Sequence, residues 1–218
     1  TRIFLNSALE YWEKFTAAGH HVAAVGGSDD HSGGKPSGTL PASIGTPTTL
    51  VYAEELSAAA IVDGIRKGRT VVKLDGPTAP MVELTTTDGA VVGDAIAVPS
   101  ARMRVLVTKG YGTTVRLVKN GVPGDQIDVT NDSFTYEWDE VPPADGKEDR
   151  IRAEVLQTGR PVTITSNLWV KYGEAPTRGG DDDDGCTVGA APAPNRSFFG
   201  IVAVAFGALA VTFARRRS

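Results

Sequence analysis

The chain has 218 residues, of which 41% are hydrophobic, enough to bury the core of one or two ordinary globular domains. Its 22 basic and 26 acidic residues give a net charge of −4, and no basic stripe with interleaved aromatic residues occurs, so no nucleic acid is expected as a partner. The single cysteine, Cys186, excludes an intrachain disulfide framework and a zinc cluster of thiolates.

The chain opens on a helical pattern. Ser7 begins a capping box that Glu10 completes, and Leu9, Trp12 and Phe15 are spaced to form one buried helix face. Gly19 is expected to end this helix. A second helix is predicted to start at the Ser57 cap, to bury Ile61 and Ile65, and to end at Gly68.

Three short apolar runs are predicted to be buried strands of the same unit: residues 22–25, 49–52 and 71–72. A Gly-, Pro-, Ser- and Thr-rich stretch over residues 26–48 reads as a long functional loop between the first two. Because helices and strands alternate, we expect an α/β fold with parallel strands in residues 1–77.

The pattern changes to all-β after Gly76-Pro77. Seven or eight short strands are predicted over roughly 95 residues, with turn signals at Asp88-Gly89 and Asn120-Gly121. Residues 78–173 are therefore expected to form a small β-sandwich of immunoglobulin-like character.

Asp29 and His31 follow the first predicted strand and are the candidate metal ligands. In extended backbone, residues i and i+2 point to the same side, so these two side chains can aim at one point while Asp30 faces away. A carboxylate beside an imidazole suits Zn, Mn or Fe, and Gly26 and Gly27 allow a sharp turn there. Two ligands do not complete a metal site. The simpler alternative is that Asp29 caps a turn and His31 is a solvent-facing loop residue.

The C-terminal region has three parts. Residues 174–197 form an acidic, Gly- and Pro-rich linker that contains Cys186. Residues 198–214, from Phe198 to Ala214, are apolar and uncharged, and three arginines follow them. This stretch predicts a short transmembrane helix with the arginines in the cytoplasm, and a buried core helix is the alternative.

An ordered series of segments resembles the PHP-type metallohydrolases (the polymerase and histidinol phosphatase superfamily), and the CehA/McbA group in particular. The segments are Trp12, Gly19, residues 25–31, 44–49, 51–52, 65–70, 152–155 and 165–169.

The resemblance implies that residues 1–77 are the C-terminal part of a distorted (β/α)7 barrel holding divalent metals. Its final Asp-x-His motif maps onto Asp29 and His31, and Asp29 would also accept a proton from a metal-bound water. The remaining ligands are expected upstream of Thr1, so we expect this chain to be a fragment that is inactive by itself.

The tail, residues 185–218, resembles the MYXO-CTERM sorting signal, which implies export, processing by a protease near Cys186 and attachment to the cell surface through a membrane. The expected function is that of a surface-attached metal-dependent hydrolase. Its small-molecule substrate is expected to be a phosphoester first and a carboxyl or carbamate ester second. The alternative is a non-catalytic surface binding or structural module in which the barrel part is degenerate.

Overall fold

The computed structural model describes residues 5–31, 33–35 and 44–174, together with the backbone of residues 200–204. Two helices lie in the first part of this region, α1 (Leu5–Ala17) and α2 (Ala58–Arg66). The strands are β1 (Thr48–Ala53), β2 (Thr70–Lys73), β3 (Met81–Thr86), β4 (Ala95–Ala97), β5 (Ala101–Thr108), β6 (Thr114–Lys119), β7 (Val122–Asp128), β8 (Ser133–Glu140), β9 (Glu148–Gln157), β10 (Arg160–Thr165), β11 (Leu168–Lys171) and β12 (Gly200–Val204).

The strands form two sheets. The larger has the order β12-β1-β2-β10-β9-β11-β4, and β6 joins it by pairing with both β9 and β7. The smaller has the order β3-β5-β8. Strand β9 is long enough to pair with β11 near its start and with β10 near its end. Asn120 and Gly121 both have positive φ at the tight turn between β6 and β7, where the sequence predicts a turn.

The main core lies between these sheets. Val82, Val105 and Val107 of the smaller sheet are fully buried against a cluster that includes Val155 and Leu168 of the larger sheet. β5 shows the alternation of buried and exposed residues that is typical of a strand with one covered face. The same cluster contains residues of β1 and β2, so the sheet continues across residue 77 rather than dividing there.

Helix α1 packs across the larger sheet with a narrow face. It begins at Leu5, two residues before the predicted cap, and its buried residues are Trp12 and Thr16. Phe15 is exposed, so its predicted place on the buried face is wrong. The predicted stop is confirmed, because Gly19 has φ 87° and the following N–H of His20 donates to the carbonyl of Phe15.

Helix α2 begins as the sequence predicts. The hydroxyl of Ser57 accepts a hydrogen bond from the N–H of Ala60 (3.1 Å). It packs closely on the sheet at Gly64, where an added Cβ would lie 2.6 Å from Val51 Cγ1 and 2.7 Å from the carbonyl oxygen of Tyr52.

The expected α/β fold, with the C-terminal part of a (β/α)7 barrel, is wrong. β1 and β2 are antiparallel neighbours, and β2 continues antiparallel into β10 from the other half of the chain. Their side chains are buried on both faces, since Val71 joins the core between the sheets while Val72 lies under α1. A central antiparallel strand covered on both faces gives the same continuous apolar run as a parallel barrel strand.

The expected transmembrane helix is also wrong where the structure describes that stretch, because Gly200–Val204 is strand β12 and pairs antiparallel with β1. The rest of residues 198–214 and residues 175–197 of the linker, which include Cys186, lie outside the described residues. Neither of the helices in the described part of the chain is long and apolar enough to cross a membrane.

Candidate functional site

The candidate ligands lie at the end of the anchor segment, the name used here for residues 20–28. This segment passes over the larger sheet without joining a ladder. The buried strand predicted over residues 22–25 is therefore wrong, and Val22 and Val25 are 44% and 57% exposed.

A closed ring of hydrogen bonds fastens Ala24 to the sheet. The N–H of Ala24 donates to Ser166 Oγ (2.8 Å), and the hydroxyl of Thr70 donates to the carbonyl oxygen of Ala24 (2.6 Å). The two hydroxyl oxygens are 2.7 Å apart. Because the Thr70 proton is already committed to Ala24, the Ser166 hydroxyl is the donor to Thr70. Each donor in the ring therefore has an acceptor, and all three residues are buried.

Gly26 is fastened in the same way two residues later. Its N–H donates to Thr49 Oγ1, and the same hydroxyl donates to its carbonyl oxygen, both at 2.8 Å. The backbone comes so close to the sheet that a Cβ on Gly26 would lie 2.8 Å from Val72 Cγ1 and 2.9 Å from Pro47 Cγ. Only glycine fits this approach without displacing a neighbour.

Two side chains hold the beginning of the anchor segment. Trp12 of α1 donates its indole N–H to the carbonyl oxygen of Val22 (2.8 Å). The ring of His21 stacks on Trp169 with centroids 3.9 Å apart, and its Nε2 lies 2.8 Å from a carboxylate oxygen of Glu148. His21 therefore ties the anchor segment to β9 and β11, and it does not extend the candidate site.

The backbone turns at Asp29, which has φ 52°. The extended geometry on which the sequence argument rests does not hold there, yet Asp29 Oδ1 and His31 Nδ1 are still only 3.9 Å apart. Asp30 faces into its own loop and accepts a hydrogen bond from the N–H of Gly34 (2.5 Å). The pair is thus brought together by a left-handed residue after a firmly held segment.

Both candidate side chains face solvent, Asp29 with 90% and His31 with 85% of the side chain exposed. His31 Nδ1 lies 2.8 Å from the carbonyl oxygen of Asp29. A carbonyl can only accept, so Nδ1 is the donor, and in the corresponding neutral tautomer the lone pair lies on Nε2. The 3.9 Å separation is too long for a hydrogen bond between the side chains, which leaves the Asp29 carboxylate available to a ligand.

Within the described residues, no third ligand lies beside this pair. No group of three or more His, Cys, Asp or Glu side chains in these residues is placed to hold a metal ion. Sequence reasoning found the pair but missed the hydroxyls that position it, Thr49, Thr70 and Ser166. A signal was available, since Thr49 and Thr70 lie among the apolar residues of β1 and β2, and Ser166 lies between β10 and β11.

Comparisons with known proteins give no relative: no family model matches the chain, and no curated protein or solved structure matches it either.

Proposed function

We propose that this chain supplies two metal ligands, Asp29 and His31, to a metal-dependent hydrolytic site that is completed by polypeptide outside the described residues. The observation that carries the proposal is the hydrogen bond from His31 Nδ1 to the carbonyl oxygen of Asp29. Ligating histidines in proteins commonly donate their other ring nitrogen to such an acceptor, which fixes the tautomer and directs the free nitrogen to the metal.

The donor set fits a zinc, manganese or iron ion. A carboxylate oxygen and a neutral imidazole nitrogen are ligands that these metals accept. Both side chains are exposed, so they can rotate to converge on one ion without disturbing the core. The backbone that carries them is fixed by Ala24 and Gly26, which limits the entropy lost when the ligands close.

The chemistry is hydrolysis of an ester, with phosphoesters as the first substrate class and carboxyl or carbamate esters as the second. A bound divalent ion would supply an acidified water and polarise the ester oxygen. In this chain, Asp29 is the group that can accept the proton of the attacking water, and His31 holds its orientation through its Nδ1 proton. Two ligands are too few for a stable site, so we expect the chain by itself to be inactive.

A non-catalytic binding module is the second candidate function. It is favoured by the lack of a third ligand near Asp29 within the described ranges. The export, surface attachment and processing near Cys186 that the tail implies concern residues outside those ranges, and they stay predictions.

Metal content tests the proposal. The chain, and a longer polypeptide that includes the residues expected before Thr1, are loaded with Zn²⁺ or Mn²⁺, freed of unbound ion and measured by plasma mass spectrometry. We expect the longer protein to retain metal, and Asp29→Ala and His31→Ala each to lower its content. His20→Ala is the matched control, because this exposed histidine contacts Phe15 rather than the pair. Unchanged metal content in both test variants would overturn the assignment.

A further inference from the structure

The anchor segment has a second edge that the sheet does not use. The N–H and C=O groups of Ala24 and Gly26 all face the hydroxyls of the sheet. In extended backbone, alternate residues direct these groups to opposite edges. The corresponding groups of Ala23, Val25 and Gly27 therefore face away from the sheet, and within the described ranges none of them has a hydrogen-bond partner.

Residues 23–27 also line an apolar groove of 540 Å³. Residues 23–27 form one wall, α1 supplies Leu5, Leu9 and Trp12, and the sheet supplies Val72 and Ile164. Arg160 is the charged residue in the lining, and its guanidinium lies 3.3 Å from the Asp75 carboxylate. An occupant of the groove should therefore be uncharged and apolar where it meets this lining.

Two elements that contribute to this groove, α1 and the anchor segment, also carry exposed apolar side chains. Tyr11 and Phe15 of α1 and Val22 and Val25 of the anchor segment are all more than two-fifths exposed. A concentration of exposed apolar residues next to a groove is typical of an interaction surface.

We propose that the outer edge of residues 23–27 receives an extended, apolar peptide segment of a partner polypeptide, which pairs with it as an added strand. Backbone groups at every second residue select an extended peptide over a compact small molecule, because only a strand presents donors and acceptors at the same repeat. The incoming strand pairs with the segment that forms one wall of the groove, so its apolar side chains can meet the exposed Val25 of that wall. This proposal does not depend on metal binding by Asp29 and His31.

Two other strand edges within the described residues, those of β7 and β8, are less suited to this role. The free edge of β7 contains Pro123, which lacks a backbone donor, and carries Asp125 and Asp128. β8 carries Glu137 and Asp139. Proline and charged side chains are the usual protection of an exposed edge, and residues 22–27 contain neither.

The probe is an acetylated Lys-Thr-Val-Thr-Val-Thr-Lys peptide, titrated into the ¹⁵N-labelled full chain and followed by NMR. The matched control is the same peptide with N-methyl groups on the alternate amides of one edge, which removes its donors and keeps its side chains. A second control, N-methylated on the other edge, identifies which edge of the peptide pairs.

We expect the amide resonances of Ala23 and Val25 to shift, and the exchange of the Val25 amide to slow about tenfold at saturation, because a free N–H gains an acceptor. One of the two N-methylated peptides should bind at least about tenfold more weakly. Equal binding of all three peptides, shifts at β7 or β8 in place of Val25, or the absence of binding would each overturn the proposal. Concentration-dependent self-association of the peptide-free chain through Val25 would also overturn it, since the occupant would then be a second copy.

Discussion

Removal of the Ser166 hydroxyl tests how the anchor segment is held. Ser166→Ala deletes two hydrogen bonds, the one from the Ala24 N–H and the one to Thr70 Oγ1. The Ala24 N–H is then buried without an acceptor in a residue that is 8% exposed. A net hydrogen bond contributes about 1 kcal/mol, and an unsatisfied buried donor costs about 1–3 kcal/mol. We therefore expect Ser166→Ala to lower the free energy of unfolding by about 2–3 kcal/mol.

Thr70→Val probes the other half of the ring with little change of shape. It removes the donor to the carbonyl oxygen of Ala24, and we expect the free energy of unfolding to fall by about 1–2 kcal/mol. The double variant should cost less than the sum of the single ones by about 0.5–1 kcal/mol, because both changes break the same ring. The matched control is Thr87→Val at an exposed position, where we expect a change within about 0.5 kcal/mol.

Equilibrium unfolding in urea gives the free energy of unfolding, and hydrogen exchange at the Ala24 amide reports local opening of the anchor segment. Both readouts are needed, because the segment can open while the sandwich stays folded. The reasoning is refuted if Ser166→Ala costs no more than Thr87→Val and leaves the protection of the Ala24 amide unchanged.

The remaining predictions concern the ion pairs that join the elements. Glu13 of α1 pairs with Arg150 (3.0 Å) and with the buried Arg152. Glu13→Gln should therefore lower the free energy of unfolding by about 1–2 kcal/mol and speed amide exchange in α1, whereas Glu10→Gln, at an exposed position, should do neither. Equal amide exchange in both variants would contradict this prediction. Burial opposes the charge of Lys119, but the hydrogen bonds and charges of Glu140 and Asp149 outweigh it and raise its pKa above 10.5. A lysine whose pKa is higher in the folded than in the unfolded protein stabilises the fold at pH values below its unfolded pKa. This contribution of Lys119 should therefore be lost as the pH rises above about 10.5. Urea unfolding of the unchanged protein and of Lys119→Met at pH 9 and pH 11 measures this contribution. The variant should lose less stability between the two pH values, and an equal loss in both proteins would contradict the role given to Lys119.

Several local features could be predicted from the sequence because the chemistry that fixes them is local. The Ser57 cap, the stop at Gly19 and the turn at Asn120-Gly121 depend on a side-chain hydroxyl or on positive φ, and the structure shows each of them. The burial of Trp12 and the exposure of Phe15 depend on how α1 crosses the sheet, which helical periodicity alone does not determine.

Strand pairing could not be read in the same way. β1 and β2 have buried residues on both faces, so their sequence does not distinguish a parallel barrel from a central antiparallel position. The second partner of β2, β10, lies about 90 residues further along the chain. Residue types alone identified the candidate pair, Asp29 and His31, but they did not predict its geometry. The prediction assumed extended backbone, whereas Asp29 has the left-handed conformation.

The most direct test of the proposed metal site is the nitrogen NMR spectrum of the histidine rings in the longer polypeptide that includes the residues expected before Thr1, recorded before and during a titration with Zn²⁺. We predict that His31 is protonated on Nδ1 without metal, that zinc shifts its Nε2 resonance while His20 is unaffected, and that Asp29→Ala weakens this response at least about tenfold, because a ligand has been removed. A His31 ring that ignores zinc, or that responds equally in Asp29→Ala, would contradict the account.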